Sequence, residues 1–157
     1  MTTENILEGK KILIVDDEPD VLEALQDLLS MCHVTRASTF EEAESLMETQ
    51  DFDLAVLDIM GVKGYDLLKK AKEKHVIVAM LTANALSVEN LSKSYEKGAA
   101  SYIPKEEMAN IATYLSDILE AKEKGKSFWW RWLDRMEDYF DKKFGPEWQE
   151  KNKIKIR

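Results

Sequence analysis

The chain is poor in cysteine and proline and contains no long apolar run. Cys32 is the single cysteine among 157 residues, so an internal disulfide is excluded. A small buried hydrophobic residue is a better interpretation of this side chain than a metal ligand or a redox centre. No segment has the roughly 20 apolar residues that a membrane-spanning helix needs, and the N-terminus MTTENILEGKK lacks the apolar core of a signal peptide. We therefore expect a cytoplasmic protein.

Positive charge is also scarce in most of the chain. The net charge is −8, with 24 acidic and 13 basic side chains in residues 1–125 against 6 and 9 in residues 126–157. An acidic body argues against a nucleic-acid partner, because duplex binding depends on neutralising phosphates. The length allows one ordinary domain with an appendage, which is too short for a helix-turn-helix output domain. We expect no nucleic-acid partner.

Strand-like apolar runs alternate with helix-like segments over most of the chain. The predicted strands are KILIV, HVTRA, DLAVLD, VIVAMLT and ASYIP, and a segment with helical periodicity follows each of them. This alternation predicts an α/β fold with a parallel sheet and right-handed crossovers. The last helix of the series should run from Glu106 to about Lys122.

Four of these strands end in side chains with chemistry. Asp16 and Asp17 follow the first strand, Asp58 ends the third, Thr82 ends the fourth, and Lys105 follows the fifth. The spacings of 41, 24 and 23 residues between Asp17, Asp58, Thr82 and Lys105 fit whole strand-helix units, which brings all of them to the edge where open α/β folds place their sites. Converging carboxylates repel one another unless a cation binds, and an all-oxygen ligand set suits Mg²⁺.

These segments resemble the receiver domain of bacterial two-component response regulators. The matching parts are KKILIVDDEPDVLEAL, FDLAVLDIM, VIVAMLTAN and GAASYIPK, in this order. The resemblance implies a receiver domain over residues 10–122. It further implies a flavodoxin-like, doubly wound five-stranded parallel sheet with the strand order 2-1-3-4-5.

The resemblance also implies roles for the residues at the strand ends. Asp58 would be the phosphoacceptor, receiving a phosphoryl group from a sensor histidine kinase or a phosphotransfer protein, with Thr82 and Lys105 contacting the transferred oxygens. Thr82 and Tyr102 would form a conformational switch that alters contacts with a downstream protein. The protein would catalyse only its own phosphotransfer and autodephosphorylation, and so would not be an enzyme in the usual sense. The Mg²⁺ ligands would be Asp16, Asp17, Asp58 and the backbone carbonyl of Met60.

The loop after Asp58 departs from the family pattern. It is about two residues shorter than usual and lacks the usual proline. We expect Gly61 and Gly64 to permit a tighter turn. The Met60 ligand should be retained because it precedes the deletion.

Other function classes fit less well. A phosphatase of the haloacid-dehalogenase type needs a second aspartate two residues after its nucleophile, but Met60 stands there after Asp58. Flavodoxin-like cofactor binding needs a phosphate-binding loop after the first strand, and no glycine- or serine-rich segment is present there. A phosphorylation-independent protein-binding module on the receiver scaffold remains the alternative.

All four tryptophans lie after residue 126. We expect a hinge at residues 123–126 and a helical extension over residues 127–157, with one amphipathic helix from Ser127 to Phe144. Its apolar face could be buried on the chain's own receiver or across a homodimer, in a groove of another protein, or at a membrane surface. Mixed charge on the polar face, which includes Arg131 and Arg135, disfavours the membrane interpretation. The candidate partner-binding residues on the apolar face are Trp129, Trp132, Leu133, Met136, Phe140 and Phe144.

Overall fold

Five parallel strands form a single sheet in a computed structural model that describes residues 6–83 and 87–151. The strand order β2-β1-β3-β4-β5 confirms the predicted doubly wound topology. The strands are β1 (Lys11–Val15), β2 (His33–Ala37), β3 (Leu54–Asp58), β4 (Ile77–Thr82) and β5 (Ser101–Pro104). Every residue of β3 is buried, which agrees with a central strand that helices cover on both faces.

Within the described residues, four α-helices connect successive strands, and three more follow the last strand. They are α1 (Pro19–Leu28), α2 (Phe40–Thr49), α3 (Gly64–Glu73), α4 (Val88–Glu96), α5 (Ile111–Lys124), α6 (Trp132–Phe144) and α7 (Trp148–Lys151). Local chemistry sets several of the starts. Pro19 opens α1, and the side chains of Thr39 and Ser87 cap α2 and α4 by accepting hydrogen bonds from backbone N–H groups. The predicted α/β class is therefore confirmed.

The segment before α5 differs from the prediction of one continuous helix. Residues Lys105–Asn110 form a 3-10 helix, and regular α-helix begins only at Ile111. Short 3-10 turns are common at the N-termini of α-helices, and their side-chain spacing resembles that of an α-helix closely enough to mislead a periodicity argument. The tighter turn begins at Lys105, directly after β5.

The connection to the C-terminal extension also differs from the prediction. Helix α5 continues to Lys124, whose ammonium lies 2.8 Å from Glu120 one turn earlier, and Gly125 with φ 65° ends the helix in a left-handed cap. The predicted hinge residues 123 and 124 are thus helical. Helix α6 begins at Trp132, five residues after the predicted start at Ser127. Hydrogen-bonded turns fill the gap, because Trp130 N donates to Ser127 O and Trp132 N donates to Trp129 O, both at 3.1 Å.

Within the described residues, no helix has the length and apolar content that crossing a membrane requires. The last six residues of the predicted extension, 152–157, lie outside the described part of the chain.

Candidate functional site

The chemically active residues predicted from the strand ends share one edge of the sheet. Asp58 is paired in register with Leu81, the residue before Thr82, and Thr82 is paired with Pro104, the residue before Lys105. Asp16 follows β1 and is fully buried. The parallel register therefore places the carboxylates, the hydroxyl and the ammonium at the C-terminal ends of neighbouring strands.

Lys105 joins the carboxylates at this edge. Its ammonium lies 2.9 Å from Asp16 Oδ2 and 3.7 Å from Asp58 Oδ1. It also lies 2.9 Å from Glu18, a contact that sequence reasoning missed although Glu18 directly follows the acidic pair. Burial alone would lower the pKa of Lys105, but the hydrogen bonds to Asp16 and Glu18 and the charge of Asp58 outweigh burial and raise it. Lys105 thus carries its positive charge at neutral pH.

Asp58 lies in an environment that disfavours its negative charge. Asp58 is only 5% exposed, and burial together with the charge of Asp16 raises its pKa above the ordinary value, with partial relief from Lys105. The backbone N–H of Gly61 donates to Asp58 Oδ2 at 3.1 Å. A single ammonium cannot balance Asp16, Asp17 and Asp58, so further positive charge would stabilise this edge.

The acidic edge has the donor chemistry of a hard-cation site. One carboxylate oxygen from each of Asp16, Asp17 and Glu18 lies within 4.8 Å of the others. All of these candidate ligand atoms are oxygens, and the exposure of Asp17 and Glu18 leaves room for water ligands. The residues therefore fit Mg²⁺, although the acidic cluster found among the described residues contains Glu18, which was not among the predicted ligands.

The shortened loop after Asp58 owes its glycines to close contacts. An added Cβ at Gly61 would lie 2.3 Å from Asp17 Oδ1, and one at Gly64 would lie 2.3 Å from the backbone oxygen of Asp58. Neither glycine has a positive φ, whereas Lys63 does, at 54°. These glycines therefore permit the close approach of the loop to Asp17 and to the Asp58 backbone, and not a left-handed turn. Met60 lies in the same loop with a side chain that is 73% exposed.

The two predicted switch residues are both buried. Thr82 is 2% exposed and Tyr102 is fully buried. The hydroxyl of Tyr102 has no hydrogen-bond partner among the described residues, and burial raises its pKa far above the ordinary value. The Tyr102 ring centroid lies 6.3 Å from that of Phe140, so the extension reaches this residue directly.

The apolar face of the extension packs on the receiver of the same chain. The indole N–H of Trp129 donates to the backbone carbonyl of Ala99 at 3.0 Å, and that of Trp132 donates to the carbonyl of Tyr102 at 2.9 Å. The Trp129 ring also meets Tyr95 of α4 edge-on, with centroids 5.3 Å apart. Of the candidate residues on this face, Leu133 and Phe144 are half-buried, whereas the fully buried members are Trp129, Trp132, Met136 and Phe140.

Charged contacts anchor the same helix to α5. The guanidinium of Arg135 makes a bidentate pair with Asp117, with Nη2 lying 3.1 Å from Oδ1, and Arg131 lies 2.8 Å from Glu120. Asp117 is only 6% exposed. Sequence reasoning assigned both arginines to the solvent face, because charged side chains on an amphipathic helix normally point to water. No local pattern signals that they reach acidic residues on another helix.

Trp148 is a further residue that sequence reasoning left off the buried face. It is 1% exposed, its ring centroid lies 5.5 Å from that of Phe140, and its indole N–H donates to Asp141 at 2.9 Å. The Gly145-Pro146 break separates it from α6, which hid its link to that face. The aromatic side chain of Trp148 is the sequence feature that could have indicated its burial.

Comparison with known proteins gives a consistent result. Residues 12–116 match the family described as the response regulator receiver domain. The heme response regulator HssR of Staphylococcus saprophyticus is 38% identical over 99 residues, which cover 59% of this chain and 43% of HssR. A probable transcriptional regulator, ycf27, of Porphyridium aerugineum is 34% identical over 125 residues, which cover 73% of this chain and 52% of that protein. The chain spans about half the length of these relatives.

One similar solved structure matches this chain over almost the whole of its own length. It is a CheY-like response regulator receiver domain protein from Methanospirillum hungatei JF-1, with a TM-score of 0.67 and 30% identity. The likeness covers 75% of this chain and 99% of that one.

Proposed function

The chain belongs to the response regulator receiver domain family, and from this premise we propose that Asp58 accepts a phosphoryl group from a histidine kinase or a phosphotransfer protein. One observation carries the proposal. Asp58 ends the central strand and is 5% exposed, and the Lys105 ammonium lies 3.7 Å from its carboxylate in a cluster with Asp16. A half-neutralised, buried carboxylate lowers stability, so its place at this edge favours a chemical role.

The reaction is a transfer between two nucleophiles. An Asp58 carboxylate oxygen forms a bond to phosphorus while the bond from phosphorus to the donor histidine nitrogen breaks, and the leaving imidazole keeps that electron pair. Water later attacks the phosphorus of the acyl phosphate, which releases inorganic phosphate and restores the carboxylate. In such transfers the protein contributes mainly by positioning the reacting groups and by neutralising the charge of the transition state.

Two side chains supply this neutralisation and positioning. Lys105 is already charged and lies within reach of Asp58, so it can pair with the phosphoryl oxygens. Thr82 ends β4 next to the register partner of Asp58, which suits its hydroxyl for a hydrogen bond to the same group. Neutralisation by Mg²⁺, when it is bound, would add to that by Lys105. The residues that we propose to hold it are Asp16, Asp17, Asp58 and the backbone carbonyl of Met60.

The signal would leave the site through protein contacts. We propose that Thr82 and Tyr102 respond to the phosphoryl group, as the family resemblance implies. The contacts of Tyr102 support this route, because its carbonyl and its ring both lie against the extension. We place the protein in the cytoplasm with a protein target, and we assign it no nucleic-acid partner.

Phosphoryl transfer from a small donor tests the proposal. The full chain is incubated with Mg²⁺ and acetyl phosphate, and its intact mass is measured. We expect the wild type to gain one phosphoryl group, Asp58→Ala to gain none, and Asp51→Ala, which removes an exposed carboxylate before β3, to behave like the wild type. Absence of a mass gain in the wild type under donor excess refutes the proposal and favours a phosphorylation-independent binding module.

A further inference from the structure

The surface formed by α4, β5 and α5, here called the docking groove, makes three kinds of contact with the C-terminal extension. Backbone carbonyls of Ala99 and Tyr102 accept from indole N–H groups. The Tyr114 hydroxyl of α5 donates to the sulfur of Met136 at 2.9 Å. Acidic residues of α5 pair with the arginines of the extension. All of these contacts are noncovalent, and a helix from any chain with the same side chains could make them.

The extension is an addition to a receiver that is complete without it. The family match ends at residue 116, and the Methanospirillum receiver is covered over 99% of its length by 75% of this chain. The five strands and the helices between them precede Gly125. The extension is joined to this body through residues 125–128, which precede the first groove contact at Trp129. The structure thus contains a receiver and a separate helical occupant of its docking groove.

Charge complementarity defines what the groove recognises. The groove presents Asp117 and Glu120 on an acidic body. The extension carries Arg131 and Arg135 one helical turn apart, and they form salt bridges with these two carboxylates. Two indole rings donate their N–H groups to backbone carbonyls of the groove, and the ring of Phe140 follows about two helical turns after Trp132. These features specify an amphipathic helix with an aromatic face and an arginine pair.

We propose that the docking groove is a helix-binding site that the chain fills reversibly with its own extension, and that the partner it fits is a protein presenting an amphipathic, aromatic helix with two arginines. The extension and the partner compete for the same contacts. A short tether gives the extension a high effective concentration, so the apparent affinity of the partner is reduced by the fraction of molecules whose groove is open. The proposal stands independently of phosphoryl acceptance by Asp58.

Weakening the extension within the full chain should therefore expose a working site. Arg131→Glu with Arg135→Glu removes the charge pairing but leaves the groove intact. The matched control, Lys142→Glu with Lys143→Glu, makes two reversals of the same sign at exposed positions of the same helix. Trp132→Ala with Phe140→Ala is a second opening variant that acts through apolar contacts.

The probe is a fluorescein-labelled peptide of residues 126–151, and binding is followed by anisotropy. We expect both opening variants to bind the peptide at least tenfold more tightly than the wild type and the control. A peptide that carries the Arg131→Glu and Arg135→Glu changes should bind neither variant. Because all four tryptophans lie in the extension, a red-shifted emission and faster acrylamide quenching should accompany opening.

Several results would overturn the proposal. One is an opening variant that keeps receiver circular dichroism and exposes its tryptophans but does not bind the peptide. Another is loss of the receiver fold together with the extension in both opening variants, which would make the extension part of one core. A third is a doubled mass in light scattering, because an exchanged extension would make a second copy the occupant.

Discussion

Replacing Gly61 by alanine tests the link between the loop glycines and the acidic edge. The added Cβ would lie 2.3 Å from Asp17 Oδ1, whereas ordinary van der Waals contact begins at 3.4 Å, so the carboxylate must retreat by about 1 Å. Metal-ligand distances tolerate only about 0.2 Å. We therefore expect Mg²⁺ affinity to fall roughly 10- to 100-fold, the range seen when the support of a ligand is lost.

The cost to stability should be small for this change and larger for its neighbour. Asp17 is exposed and can swing away, so Gly61→Ala should lower the free energy of unfolding by less than about 1 kcal/mol. Gly64→Ala instead places its Cβ 2.3 Å from the Asp58 backbone oxygen and 2.8 Å from Ile59 Cα, neither of which can move freely. Overpacking against backbone should cost about 1–3 kcal/mol.

Two measurements separate these effects. Calorimetric titration with Mg²⁺ gives the affinity, and urea unfolding followed by circular dichroism gives the stability. Unchanged Mg²⁺ affinity in Gly61→Ala would refute the role of Asp17 as a ligand. Equal stability of the two variants would refute the close approach of Gly64 to β3.

Three further predictions concern the buried groups and the cation. Tyr102→Phe removes a hydroxyl that has no hydrogen-bond partner among the described residues, so urea unfolding should show an unchanged free energy of unfolding or a gain of up to about 1 kcal/mol. A loss of more than about 1 kcal/mol would show that the Tyr102 hydroxyl makes a stabilising hydrogen bond. Because the pKa of Asp58 is raised in the folded state, the folded protein binds more protons than the unfolded one between the two pKa values, and stability falls as pH rises through that window. Asp58→Asn should therefore stabilise the fold at pH 7, and this gain should disappear below the pKa that Asp58 has in the unfolded chain. A variant that is less stable than the wild type at pH 7 would show instead that the Asp58 carboxylate is stabilised by its pairing with Lys105. Mg²⁺ should raise the melting temperature of the wild type by mass action, whereas Asp16→Asn with Asp17→Asn should show no such rise.

The receiver fold was accessible from sequence because its signals are local. Strands β1, β3 and β4 are mainly apolar runs, and functional residues stand at their ends, as Asp58 does after LAVL. In a parallel sheet, residues at the C-terminal ends of neighbouring strands lie close together. The pairing of Thr82 with Pro104, which brings Thr82 near Lys105, is an example. Strand order came from family resemblance, since periodicity does not encode it.

The extension was less accessible because its contacts are long-range. The helical spacing of Trp129 and Trp132 continues across turns that are not helical, so the start of α6 was placed too early. The pairing of Arg135 with Asp117 depends on how two helices pack, and neither helix shows it alone. Glu18 was missed for a related reason, because its role follows from the position of the Lys105 ammonium.

Chemical trapping of the phosphorylated residue tests the central claim most directly. Borohydride reduces an aspartyl phosphate to homoserine, and tandem mass spectrometry of the treated protein then locates the modified position. After incubation with Mg²⁺ and acetyl phosphate, we predict homoserine at residue 58, dependent on Mg²⁺ and absent in Asp58→Asn. Homoserine at Asp16 or Asp17, or at no position in protein exposed to excess donor, would contradict the account.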